Sequence, residues 1–149
     1  MKKLMAILTA SAMLISSFAF AIDSDKVNAR IQAAFSDDFS GATDVTWEKG
    51  RDCYLATFTF NSIQVNAAYN EDGELLGTSR EMQSSQLPLP ISLALGKKYE
   101  GYSVSERTLE LTFEGVTNYY LAVENSRQLL KLKCSINGNI EVASKIKKK

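Results

Sequence analysis

This 149-residue chain holds no histidine, so any chemistry in it would rest on carboxylates, hydroxyls, amines, guanidinium groups and two thiols. That absence removes Ser-His-Asp and Cys-His nucleophilic catalysis, imidazole zinc ligation and a near-neutral imidazole switch together. A carboxylate-pair hydrolase needs two acids converging in a cleft. The candidate pairs, Asp37 with Asp38 and Asp44 with Glu48, fall at turn and edge positions where solvated charge is the expected state. Asn70-Glu71-Asp72-Gly73-Glu74 invites a calcium-loop reading, but it lacks the alternating oxygen ligands and distal glutamate of such loops. A hairpin turn explains it better, and the neutral Asn137-Gly138 fills the comparable place later in the chain. No catalytic, cofactor-binding or metal-binding residue is assigned, and the chain is expected not to be an enzyme.

The two cysteines raise the question of a disulfide. Tyr54, Ala56 and Phe58 read as the core face of one strand, so Cys53 points to its other side. Leu130, Leu132 and Ile136 read as the core face of another, which puts Cys134 inside. Thiols on opposite faces cannot converge to bridging distance, and two separate thiols are expected unless the strand register differs.

The elements that would position these residues are legible from periodicity. The stretch from Trp47 to Leu76 alternates with the two-residue period of a pleated strand. It is broken at Lys49-Gly50-Arg51-Asp52, Asn61-Ser62 and Asn70-Glu71-Asp72-Gly73, which predicts an antiparallel meander. Before it, Val27, Ile31, Ala34 and Phe35 share one helical face, with Ser24 or Asp23 as cap. After it, 85–90 contains both prolines and reads as a linker, from which Pro90 opens a second helix carrying Ile91, Ala94, Leu95, Lys98 and Tyr99. Val104 to Phe113 predicts a further strand, and Asn125-Ser126-Arg127 and Asn137-Gly138 predict further turns. Tyr119-Tyr120-Leu121-Ala122-Val123 matches Cys53-Tyr54-Leu55-Ala56-Thr57. Tyr54 stands nineteen positions before Gly73 and Tyr120 eighteen before Gly138, the mark of an internal repeat with one deletion.

Residues 1–21 combine Lys2 and Lys3, an apolar run from Leu4 to Ile15 and the small-x-small site Ala19-Phe20-Ala21, so a signal peptide removed at about Ala21 is expected. Thr9, Ser11, Ser16 and Ser17 interrupt the run and argue against a membrane-spanning anchor. The expected destination is the periplasm or the medium, with no transmembrane segment in the mature chain. Without residues 1–21, fifteen basic residues face seventeen acidic ones, so nucleic acid is not an expected partner. Lys145 to Lys149 reads as a solvated basic terminus.

Gly41-Ala42-Thr43-Asp44-Val45-Thr46-Trp47-Glu48-Lys49, Tyr54-Leu55-Ala56-Thr57-Phe58 and Asp72-Gly73-Glu74-Leu75-Leu76 resemble the PepSY-like, β-lactamase-inhibitor-like (BLIP-like) proteins exported by Bacteroidetes-type bacteria. The resemblance spans essentially the whole mature chain and rests on turn and core residues. It implies two copies of helix plus antiparallel sheet, and inhibitor-like binding of another protein. Tyr102-Ser103-Val104-Ser105-Glu106 departs from the family wording in the second half.

The expected fold is therefore α+β: two tandem repeats of one helix and about four antiparallel strands, at 22–84 and 91–149, with the helices on one face of the sheet and the other face open. By strand parity that open face carries Leu55, Thr57, Thr59, Gln64, Asn66, Tyr119, Leu121, Val123, Leu129, Lys131 and Lys133. The expected function is non-catalytic binding of an exported or periplasmic protein through this face, without a cofactor. Burial of the face in a homodimer would explain it too. The alternative is a carrier or sensor of a small ligand or cell-wall fragment held between helices and sheet.

Overall fold

A computed structural model describes residues 20–149; most of the expected signal segment lies outside the described residues. Ten antiparallel strands form one sheet: β1 (Phe20–Ile22), β2 (Thr43–Lys49), β3 (Tyr54–Phe60), β4 (Ile63–Tyr69), β5 (Leu75–Gln83), β6 (Ser103–Val104), β7 (Arg107–Phe113), β8 (Val116–Glu124), β9 (Gln128–Ser135) and β10 (Ile140–Lys147). Their order is β1-β2-β3-β4-β5-β7-β8-β9-β10, with β6 pairing β8. Two α-helices, α1 (Ala29–Asp38) and α2 (Leu89–Lys98), accompany them. This overturns the α+β expectation of two repeats of one helix plus four strands. The described chain is mostly one ten-stranded sheet. Periodicity does not mark β1 and β6 as separate strands, because they are only three and two residues long.

The chain divides into two compact units between Gly77 and Thr78. That point lies inside β5, well before the expected linker at 85–90. The supposed linker is structured: Ser84–Gln86 is a 3-10 turn, Leu87 is buried, and Pro88 stands at the N-cap of α2.

In the first unit the predicted helix begins later than expected. Ser24–Lys26 forms a 3-10 turn, and Asn28 caps α1, its Oδ1 accepting from the Arg30 N–H at 2.8 Å. Ile31 and Phe35 of α1 are buried against Trp47, Tyr54, Ala56, Phe58 and Tyr69. The cross-strand pairs Tyr54 with Tyr69, Ala56 with Ala67 and Phe58 with Val65 place these side chains on one face, as alternation along β3 predicts. Phe35 is the hub, meeting Phe58 edge-on at 4.9 Å and Trp47 at 5.3 Å between ring centroids.

In the second unit Ile91 and Leu95 of α2 pack with Tyr119, Leu121, Val123, Leu130, Leu132 and Cys134. The predicted strand from Val104 to Phe113 is two pieces. Ser105 interrupts it, its side-chain Oγ accepting from the Ala122 N–H at 3.1 Å where a ladder carbonyl would otherwise serve. Both units press a hairpin glycine onto the start of their helix. A Cβ on Gly73 would stand 3.1 Å from the Arg30 carbonyl oxygen, and one on Gly138 would stand 2.7 Å from that of Pro90.

Candidate functional site

The face of each unit turned away from its helix was the expected site. In the first unit the register Leu55 with Ala68, Thr57 with Asn66 and Thr59 with Gln64 brings all the predicted residues there to one side. Leu55, Thr57, Thr59 and Asn66 are half-buried, Gln64 is exposed, and the Thr57 hydroxyl donates to Asn66 Oδ1 at 2.8 Å. Pleating alone fixes this grouping, because Tyr54, Ala56 and Phe58 claim the other side.

The second unit corrects the prediction. Tyr119, Leu121 and Val123, assigned to the open face, are buried at 5%, 6% and 0% exposure. Their cross-strand partners are Cys134, Leu132 and Leu130, the core face of β9. Lys131 and Lys133 do stand on the helix-free side, opposite Ala122 and Tyr120. The difference is one residue of parity: two tyrosines are adjacent on β8, and Tyr119, not Tyr120, faces the core. Tyr119 stands nineteen positions before Gly138, the same spacing as Tyr54 to Gly73. Glu124 was the available signal, since it shares parity with Tyr120 and Ala122 and marks theirs as the solvated side.

The observed helix-free surface of the second unit is therefore built on Tyr120. In register across the strands run Leu109, Tyr120, Lys133 and Glu141, and beside them Leu111 with Asn118 and Ala122 with Lys131 and Ser144. Leu111 is buried, Tyr120, Leu109, Asn118 and Lys133 are half-buried, and Lys131 is exposed. An aromatic thus sits between aliphatic neighbours and two ammonium groups.

Polar groups elsewhere are held in place by partners. On the helix side of the second unit Arg80 Nε donates to Glu110 Oε1 at 2.7 Å, and Glu110 lies opposite Tyr119. Burial, then the charge of Glu110, pushes the Tyr119 phenol up. Asp38, one of the candidate acids, accepts from the Tyr69 hydroxyl at 2.8 Å. Burial and that carboxylate hold Tyr69 protonated far above its ordinary range. In the Asn70–Glu74 segment Asn70 Oδ1 accepts from the N–H groups of Asp72 and Glu74, and Asp72 Oδ1 accepts from Arg30 Nη1 at 3.5 Å. Among the described residues no three His, Cys, Asp or Glu gather as a metal cluster would.

Both cysteines are free thiols, Cys53 half-buried and Cys134 buried. Burial, and secondarily the charge of Asp52, raises Cys53. Burial pushes Cys134 up to about 11, Lys98 opposing weakly.

One concavity was not legible in sequence. A cleft of about 860 Å³ opens in the second unit between α2, the loop that follows it, and the Ser105 interruption.

No family model matches the chain, and no curated protein matches it. Solved structures do. A BLIP-like protein from Bacteroides fragilis is 21% identical with a TM-score of 0.68, over 84% of this chain and 92% of that one. A DUF2874 family protein from Bacteroides ovatus is 18% identical with a TM-score of 0.67, over 83% and 89%. A protein from Bacteroides eggerthii, described as a candidate periplasmic protein, is 15% identical with a TM-score of 0.65, over 81% and 88%. At these identities the likeness is one of fold. It supports the BLIP-like part of the resemblance at that level, and the PepSY-like part is not shown. Among the described residues no helix is long and apolar enough to cross a membrane.

Proposed function

We propose that this chain is an exported, non-catalytic module that binds another protein in the manner of an inhibitor, through the helix-free face. The observation that carries the reading is the row Leu109, Tyr120 and Lys133 in register on that face of the second unit. A half-exposed tyrosine among aliphatic side chains, rimmed by lysines, has the composition of an interface anchor and its polar border. The signal-like residues 1–21 support export, and the fold shared with a candidate periplasmic protein agrees with it. The absence of histidine from the sequence supports a non-catalytic role. A ligand carried between helix and sheet draws less support, because Ile31, Phe35, Ile91 and Leu95 fill that space with side chains.

The test is affinity capture from a periplasmic extract with immobilised residues 22–149, run in parallel with Tyr120→Ala. A protein retained by the parent and lost by the variant is the expected result. Equal retention by Tyr120→Ala removes the face from the proposal. A dimer in sedimentation that the same substitution dissociates reassigns the face to self-association.

A further inference from the structure

We propose that the cleft in the second unit is a separate binding site for an extended peptide segment carrying a basic side chain. Three independent features converge there. The first is an unfilled strand edge. β6 has β8 as its strand neighbour and lies off the main path of the sheet. The Ser105 N–H donates to the Ala122 carbonyl at 2.8 Å. Alternation along an antiparallel ladder then turns the N–H and C=O of Val104 away from β8, and Val104 lines the cleft. An added strand recognises this geometry by backbone pairing.

The second feature is the wall opposite. Gly96 of α2 lines the cleft, and a Cβ built on it would meet nothing within 4 Å. The helix surface is cut back there, while Leu87 and Leu95 supply an apolar floor that takes one side chain of an inserted segment. Tyr99 and Tyr102 stand edge to face beside it at 5.6 Å, and the Tyr102 hydroxyl accepts from Gln128 Nε2 at 2.6 Å, which fixes the loop.

The third feature is charge. Residues 78–149 hold eleven basic and seven acidic residues, so this unit is positive as a whole. The cleft is not. Its basic residue Arg107 is already joined to Glu81 at 2.7 Å, which leaves the exposed carboxylates of Glu100 and Glu106 to set the local sign. Carboxylates beside tyrosine rings form a setting that favours an ammonium or guanidinium group.

The test uses isotopically labelled residues 22–149 titrated with acetyl-Lys-Val-Lys-amide and with acetyl-Glu-Val-Glu-amide. Saturable amide shifts at Val104, Ser105, Gly96 and Gly101 with the basic peptide, and none with the acidic one, are expected. Glu100→Gln with Glu106→Gln should weaken the basic peptide by about tenfold, the scale of a lost charge-assisted contact. Gly96→Leu should fill the cleft and abolish the shifts while leaving the fold intact, since leucine is the better helix former. Shifts confined to other parts of the molecule, equal binding of the acidic peptide, or undiminished binding by Gly96→Leu would each overturn the site.

Discussion

Tyr119 and Tyr120 are neighbours with opposite duties. Tyr119 is 5% exposed and packs under α2, whereas Tyr120 stands on the helix-free face. Truncating a buried aromatic costs roughly 3–5 kcal/mol, so Tyr119→Ala should lower the denaturation midpoint sharply. Tyr120→Ala should stay within about 1 kcal/mol of the parent, as surface changes do. Paired chemical denaturation curves check both, and a larger loss for Tyr120→Ala would invert the face assignment. Cys134 supplies a second residue-scale expectation. Its thiol is pushed up to about 11 from an ordinary 9.0. The native state therefore keeps a proton that the unfolded state releases, and stability present below pH 9 falls as pH rises toward 11. The loss is on the order of 3 kcal/mol. Tyr69 and Tyr119, both raised by burial, extend the decline further into alkali. Cys134→Val should flatten the first part of this limb in stability measured against pH. An unchanged slope would show that the thiol is not its source.

Among the elements, the hairpin joining β9 and β10 shows how a turn becomes a packing contact. Gly138 has φ of +92°, and a Cβ there would lie 2.7 Å from the Pro90 carbonyl oxygen, a backbone atom that cannot rotate away. Gly115, with φ of +77°, has open space around it. Gly138→Ala should thus add a steric cost to the left-handed strain, about 2–4 kcal/mol in total against about 1 for Gly115→Ala. Thermal unfolding of the two variants separates these effects, and equal shifts would mean the hairpin relaxes off the helix freely. Gly138 belongs to the Asn137-Gly138 turn expected from sequence, and Gly115 to the turn between β7 and β8. Only the packed structure shows that one turn rests on the start of α2.

Charge is distributed unevenly over the molecule. Ten acidic residues face four basic ones between 22 and 77, and eleven basic face seven acidic between 78 and 149. The near-neutral total hides two units of opposite sign. A partner engaging the Tyr120 face meets the positive unit, with Lys131 and Lys133 at hand, so it should present carboxylates. Association should slow as salt is raised. Lys131→Glu with Lys133→Glu should slow it about tenfold or more with little change in dissociation, the behaviour of rim charges. Surface-binding kinetics with the captured partner measure this, and an effect confined to dissociation would place the lysines in a desolvated contact instead.

Local physics carried much of the reading. Alternation along β3 and β4, the helical spacing of Ile31, Phe35, Ile91 and Leu95, and the Asp72-Gly73 and Asn137-Gly138 turns each depend on a few neighbouring residues, and they identify elements from sequence alone. The face of the first unit followed from the same rule, because the aromatic residues of β3 lie on one side only. Tertiary structure decided the rest. On β8 both parities carry a tyrosine, and a pleat divides a strand into two faces without saying which one a helix covers. β1 and β6 exist only through their partners, being too short to display a period. The cleft beside β6 depends on a hydroxyl replacing a ladder carbonyl and on a glycine facing empty space. Both are relations between segments distant in sequence, and no local pattern encodes them.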